Sequence, residues 1–353
     1  MKNMKNFSCL RDWVERHLPS SFALDEIIQL NQLNGDAGFR QYFRVNSKPS
    51  LIAVLAPPLL EDSSLFVNVA LCFKKNSLHV PIIYAVNYES GFLLLEDFGD
   101  DVLLPLLVEK DFNDLYDSAE VELIKIQKIS TNNRIFPVYS RLKLLQEMNM
   151  FTEWFVKKLL NVELSTIDLC LLEDAFSTIA DSALEQTQVV VHRDFHSRNL
   201  MKLTNGSIGV IDFQDAVIGP ITYDMVSLLR DCYVRLPKKY VIQRAFAYYR
   251  RAVAEGVAAQ ASDEEIIGWF DLMGLQRHIK VLGVFSRLYL RDGKHKYLDD
   301  LPLVVRYTME QLKSQPKLKE FTLWFEQRLL SKISRESWYK PWETAGKLPE
   351  KRK

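Results

Sequence analysis

The stretch 189–231, VVVHRDFHSRNLMKLTNGSIGVIDFQDAVIGPITYDMVSLLRD, restricts what this 353-residue chain can become. Val189 to Val191 reads as a short buried strand. Leu200 to Leu203 and Ser207 to Ile211 flank Asn205-Gly206, a pair that favours a two-residue type I′ hairpin turn. With those two residues as the turn, Asn199 falls directly across from Asp212, their Cβ atoms about 5 Å apart on one face. An amide oxygen beside a carboxylate suits a hard cation such as Mg²⁺. Asp194 precedes Asn199 by one loop and is expected to face the same space. Phosphoryl transfer needs such a set: the metal neutralises phosphate charge, while a separate carboxylate orients the attacking hydroxyl and accepts its proton. Asp194 is therefore the expected catalytic base, with Asn199 and Asp212 the expected metal ligands.

Composition narrows the partners. Lys plus Arg and Asp plus Glu both number 45, so neither nucleic acid nor membrane is an expected partner on global charge. A hydrophobic content of 48% fits a soluble globular protein of one large or two modest domains. Cys9, Cys72, Cys170 and Cys232 are scattered without C-x-x-C spacing, which argues against a zinc site or disulfide framework and for reduced, cytoplasmic thiols. Residues 1–18 carry Arg11, Asp12, Glu15 and Arg16 where a signal peptide needs an apolar core, and no apolar run reaches membrane-spanning length.

Periodicity orders the rest. Residues 9–18 read as an amphipathic helix. Strands are expected at 26–33, 41–45, 51–55, 82–86 and 92–96, with a helix at 63–75 between the third and fourth. From 101 onward the pattern turns helical, at 111–129, 140–160 and 171–184, and again after the hairpin at 224–232, 240–256, 264–291 and 301–331. Met148 to Phe155 read as core. The tail, with Pro341, Gly346 and Pro349, lacks core periodicity; fraying is the default, although Trp338 and Trp342 could tuck back.

His192-Arg193-Asp194, Asn199 and Asp212-Phe213 are similar to the H-R-D-x-x-x-x-N catalytic loop and metal-binding Asp-Phe of protein kinases, with Gln214 in place of the following glycine. Asp215, Gly219-Pro220 and Tyr223-Asp224 make the stretch resemble the aminoglycoside phosphotransferase and choline kinase branch, which phosphorylates small molecules. The resemblance implies an α+β, two-lobed protein-kinase-like fold. Its small β-rich lobe would span 1–98 and its large, mainly helical lobe 99–333, leaving 334–353 as a tail. ATP and Mg²⁺ are the implied cofactors, and a monomer is expected. Between the first two strands, Gly35 and Gly38 would let backbone amides approach phosphate oxygens, although a plain hairpin turn suits them as well. Glu96, Asp97 and Phe98 fall at the hinge, whose backbone hydrogen-bonds adenine in such kinases; the Glu96 and Asp97 side chains also suit a solvated strand end.

The strand that carries a phosphate-holding lysine in these kinases reads Leu51-Ile52-Ala53-Val54-Leu55 and has none. Arg40 or Arg44 is the nearest substitute, and a nucleotide-binding pseudokinase is the alternative. Gly35 to Arg44, Ala56-Pro57-Pro58 with Glu61-Asp62 and Phe66, Leu275 to Phe285 and Arg291-Asp292-Gly293-Lys294 together resemble the anomeric N-acetylmuramate/N-acetylglucosamine kinases of Gram-negative cell-wall recycling. That resemblance implies an amino sugar substrate phosphorylated at its anomeric hydroxyl. On a helix, Arg277, Lys280, Arg287 and Arg291 share one face, which could meet the lactyl carboxylate of N-acetylmuramate or be a solvated or interlobe salt-bridging surface. A basic region suits polycationic aminoglycosides and choline poorly; a related kinase acting on such acceptors is the runner-up enzyme. His192 and Arg193 are expected to brace the loop, His196 to approach substrate or pack, Asp215 to cap local backbone in preference to touching a second ion, and Asp224 to pin the catalytic loop.

Overall fold

The computed structural model describes residues 2–24, 27–33, 38–109, 113–132 and 134–346. Its contacts group the chain into two compact units. One comprises Met1–Leu103, Asn113–Lys125 and Asn199–Asp215; the other comprises Leu104–Phe112, Ile126–Arg198 and Ala216–Lys353. These units are discontinuous in sequence, whereas the boundaries drawn from sequence are continuous.

The first unit is built on a five-stranded antiparallel sheet, in the order Leu30–Leu33, Gln41–Val45, Leu51–Leu55, Phe92–Glu96, Ile83–Asn87. The first strand is shorter than expected. Glu26 lies outside the described residues, and the Gln29 N–H is taken by the Asn46 side chain. Phe43, Ala53 and Leu94 are buried with Leu10, Trp13 and Val14 from the Lys2–His17 helix. The Ser63–Lys75 helix begins where Asp62 accepts the N–H groups of Ser64 and Leu65, an N-cap that satisfies two donors the helix cannot.

The second unit is mainly helical. Its centre is the 30-residue helix Asp263–Asp292, opened by a Ser262/Glu265 capping box and closed by Gly293 at φ +67°. Arg141–Met150 continues into a π-helix over Phe151–Leu159. The single helix expected over 301–331 is divided: Tyr297–Ser314 ends before Pro316, which has no N–H to continue the ladder, and Lys319–Trp324 follows a 3₁₀ turn. A two-stranded sheet that sequence reading missed pairs Gln188–Val191 with Val217–Pro220. The tail does not fray over 334–346. Trp338 is buried with its ring 6.4 Å from that of Phe155, and the Arg306 guanidinium donates to the Ala345 carbonyl at 2.8 Å. Among the described residues no helix is long and apolar enough to cross a membrane.

Candidate active site

In the first unit the hairpin forms, but one register away from the expectation. Strands Leu200–Lys202 and Ile208–Val210 pair Leu200 with Val210. The turn holds three residues, Thr204 to Gly206. Gly206 N–H donates to the Leu203 carbonyl, Leu203 N–H to the Ser207 carbonyl, and Gly206 takes φ +84°. This is the type I turn closed by a left-handed glycine that competes with the two-residue turn. Asn199 therefore lies across from Ile211, whose N–H it accepts at 3.1 Å. Asp212 nevertheless reaches it, because a φ of +63° breaks the strand's alternation of faces. The Asn199 amide donates to one Asp212 carboxylate oxygen at 3.3 Å, and Gln214, in the signature glycine position, donates to the other at 2.8 Å. Each Asp212 oxygen has a second lone pair beside these donors, and together with the Asn199 amide oxygen such hard donors fit a small divalent cation.

Phe213 anchors this pair. Its ring is fully buried, stacked 5.0 Å from Phe66 and tilted against Phe73 at 5.6 Å, both on the Ser63–Lys75 helix. The Arg40 guanidinium lies 5.2 Å over the same Phe66 ring and pairs with Glu61 at 3.2 Å. Tyr42 joins this group. Burial raises its phenol, Arg40 opposes the rise, and the Asp212 and Glu61 charges reinforce it. Gly38 takes φ +111°, which a side chain would strain, and Gly35 lies outside the described residues. Asp215 is exposed, and among the described residues its carboxylate makes no hydrogen bond, so the expected backbone cap is not seen.

The structure separates the two candidate arginines. Arg44 is committed: its guanidinium donates to Asp97 at 2.6 Å, to Asp100 at 2.8 Å and to the Gly99 carbonyl at 3.1 Å. Asp100 and Asp97 together hold it firmly protonated. Asp97 in turn accepts from Ser50 and from the Gly99 N–H, so this acid is a tie between strand and hinge, not a solvated end. Glu96 accepts the Ile82 N–H at 3.0 Å. The Phe98 ring lies where a Cβ on Gly209 would come within 2.6 Å of it, which fixes that residue as glycine. The three expected hinge side chains are thus structural.

In the second unit Asp194 sits among cations. Burial would raise its carboxyl, but Lys280, His196, Arg193 and Arg277 more than offset this and bring it down to about 2. Its loop is pinned as expected. Asp224 accepts the His192 N–H at 2.7 Å and the Arg193 N–H at 2.9 Å, which holds Arg193 at its left-handed φ of +78°. Burial raises the Asp224 carboxyl to about 7, opposed by those two backbone donors and reinforced by Asp194. Arg193 braces the loop through Glu147, which also accepts from the Tyr139 hydroxyl and pairs with Lys280 at 3.3 Å. His196 is buried, its ring edge-on to Tyr233 with centroids 5.4 Å apart. Arg277 is buried and donates to the Cys232 sulfur at 3.3 Å.

The expected basic stripe is therefore not uniform. Arg277 and Lys280 stand beside Asp194. Arg287 is half-buried against Met150, and Arg291 is an exposed partner of its neighbour Asp292. Glu147 and Tyr139 were missed by sequence reading. The one signal for Glu147 is its place in the largely apolar stretch 144–156, which Glu153 shares, and Tyr139 has none. Asp231 was missed too; it holds the loop by accepting from the Ser197 N–H at 2.9 Å.

Comparison with known proteins is consistent with this geometry. Residues 29–259 match the model of the Phosphotransferase enzyme family. An N-acetylmuramate/N-acetylglucosamine kinase of Pseudomonas aeruginosa is 37% identical over 326 residues, covering 91% of this chain and 96% of that protein. A kinase of the same description from Neisseria meningitidis is 36% identical, covering 84% and 88%. Among solved structures, an ADP-bound aminoglycoside phosphotransferase APH(2'')-Ib aligns with a TM-score of 0.57 at 16% identity, covering 87% of this chain and 98% of that one. An ethanolamine kinase of Plasmodium vivax aligns at 0.59 with 12% identity, covering 89% and 96%. At those identities the structural likeness shows the kinase-like fold.

Proposed function

Since the chain belongs to the Phosphotransferase enzyme family, we propose that it transfers the γ-phosphoryl group of ATP to the anomeric hydroxyl of N-acetylmuramate and N-acetylglucosamine. The carrying observation is the Asp194 carboxylate, set on a loop that Asp224 pins and among Lys280, His196, Arg193 and Arg277, whose charges favour its ionised form although burial works the other way. Such a group can orient an acceptor hydroxyl and receive its proton as the new O–P bond forms and the bond to ADP breaks. An anomeric hydroxyl is more acidic than an ordinary alcohol, which lightens the task of so weak a base. Asn199 and Asp212 are the residues that would hold Mg²⁺, which when bound neutralises phosphate charge.

Arg40 takes the role of the missing strand lysine. Its pairing with Glu61, one residue before the cap of the Ser63–Lys75 helix, parallels the lysine–glutamate pair of protein kinases. This favours catalysis over a pseudokinase. The cations around Asp194 disfavour aminoglycoside or choline acceptors, which are themselves cationic. A monomer in the cytoplasm, where ATP is available, completes the proposal.

Phosphorus NMR of the protein with Mg-ATP and each sugar tests it, with Asp194→Asn as control. A sugar 1-phosphate that the control does not make supports reaction, position and base. Phosphate on another hydroxyl refutes the anomeric assignment, and absence of transfer to either sugar refutes the sugar kinase.

A further inference from the structure

Within the second unit, the cations nearest Asp194 have anionic or polar partners. Arg193 has Glu147, Lys280 has Glu147 and the Tyr223 hydroxyl, and Arg277 has the Cys232 sulfur with the charges of Asp194 and Asp231 nearby. Arg287 differs. Among the described residues it has no carboxylate, carbonyl or hydroxyl partner: its Nε, like that of Arg193, is buried without a hydrogen bond, and its terminal nitrogen meets the Met150 sulfur at 3.8 Å. Burial and the neighbouring Arg291 both disfavour its charge; Asp292 opposes them without overcoming the loss. A guanidinium cannot lose its proton in response, so this donor set stays charged, partly desolvated and without a matching acceptor.

Its position gives the arrangement a direction. Lys280 and Arg287 are seven residues apart on the Asp263–Asp292 helix, hence on one face and about 10 Å apart along the axis. The Arg141–Met150 helix runs beside that face: Glu147 meets Lys280, the Met150 backbone meets Gly283, and the Met150 side chain meets Arg287. Long helical side chains lean toward the helix N-terminus, and the contact of Arg287 with Met150, whose backbone faces Gly283, places its head on the Lys280 side of its own Cα. An acidic ether arm on the 3-oxygen of an amino sugar whose anomeric hydroxyl meets Asp194 is the kind of group that this face would receive. N-acetylmuramate carries such an arm, a lactyl carboxylate, and N-acetylglucosamine does not.

We propose that Arg287 is the specificity residue that receives the carboxylate of a 3-O-carboxyalkyl amino sugar, so that it favours N-acetylmuramate over N-acetylglucosamine. This rests on the sugar-kinase reading above. The guanidinium fork matches a carboxylate in two parallel hydrogen bonds, which an ammonium cannot reproduce.

The test is the ratio of kcat/KM for N-acetylmuramate to that for N-acetylglucosamine, measured for the unmodified protein, Arg287→Ala and Arg287→Lys. Loss of charge-assisted hydrogen bonds should lower the ratio about 10- to 100-fold in Arg287→Ala, mostly through KM, with Arg287→Lys intermediate. A chemical counterpart removes the risk that the variant misfolds: with the unmodified protein, the methyl ester of N-acetylmuramate should lose as much relative to the acid. Equal losses on both sugars, or an ester used as well as the acid, would overturn the proposal. Transfer to neither sugar by the unmodified protein would instead overturn the sugar-kinase reading on which it rests.

Discussion

Lys280 and Glu147 form an ion pair at 3.3 Å, and the same ammonium is the strongest of the charges that pull the Asp194 carboxyl down. The pair does two things at once. Glu147 is itself held below the usual carboxylate range despite its burial, by Lys280 and then Arg193, so it remains an anion that keeps both cations in place. Lys280, although desolvated, stays protonated because Tyr223 and Glu147 face it.

The sign of the pH effect follows. A carboxylate depressed to about 2 is ionised across the working range, so Asp194 should impose no acid limb on kcat/KM above about pH 3. In Lys280→Gln burial is less opposed, the Asp194 carboxyl rises, and an acid limb should enter the measurable range as pH falls. Stability should move in the same direction. Depressed carboxyls stabilise the fold above their unfolded value of about 4, and that contribution is lost as pH falls toward 2. Acid unfolding of the variant should therefore begin at higher pH. Superimposable pH–rate profiles for the two proteins would refute the coupling.

The two arginines of the first unit should fail in different ways. Arg40→Ala removes the guanidinium beside Glu61 and Phe66; it should raise KM for ATP and lower kcat, together about 10- to 100-fold in kcat/KM. Arg44→Ala leaves Asp97, almost fully buried, without its cation, and should cost about 1–3 kcal/mol of stability with little effect on KM for ATP. Urea melts and ATP saturation curves of both variants separate the cases. A reversed pattern would place Arg44 at the phosphates.

Metal dependence should track the hairpin pair. Asp212→Asn keeps the shape and the contact with Asn199 but removes the charge, so the Mg²⁺ concentration for half-maximal rate should rise about tenfold or more. Asn199→Ala should raise it less, because a neutral donor is lost. Titration of activity with Mg²⁺ at fixed ATP reads both. An unchanged midpoint in Asp212→Asn would remove this residue from the metal site.

Much of this was legible in the sequence because the signals were local. The strands at 41–45, 51–55 and 92–96 and the helix at 63–75 stand where strand-like runs and helical spacing put them. The hairpin was legible as a hairpin and not in register, since Asn205-Gly206 serves a two-residue turn or ends a three-residue one equally well. The pairing of Glu147 with Lys280 was not legible, because the partners are far apart in the chain and each reads locally as a helix residue. Arg40 and Arg44 were indistinguishable for the same reason: which one is committed depends on Asp97 and Asp100, some fifty positions away.

Two glycines of the Asp263–Asp292 helix should respond oppositely to alanine. At Gly283 an added Cβ would stand 2.3 Å from the Met150 carbonyl carbon and 2.5 Å from the Phe151 nitrogen, both backbone atoms that cannot swing aside. Gly283→Ala must therefore push the two helices apart, at about 1–3 kcal/mol for an overpacked methyl. That separation also strains the Glu147–Lys280 pair on the same face, so kcat should fall along with stability. At Gly268 a Cβ meets nothing within 4 Å, and the substitution there only restricts the unfolded chain and improves helix propensity, a gain of about 0.5–1 kcal/mol. Chemical denaturation of both variants, with sugar-dependent ATP turnover measured in parallel, distinguishes a packing requirement from a general intolerance of change in this helix. Equal destabilisation at both positions would contradict the close approach at Met150.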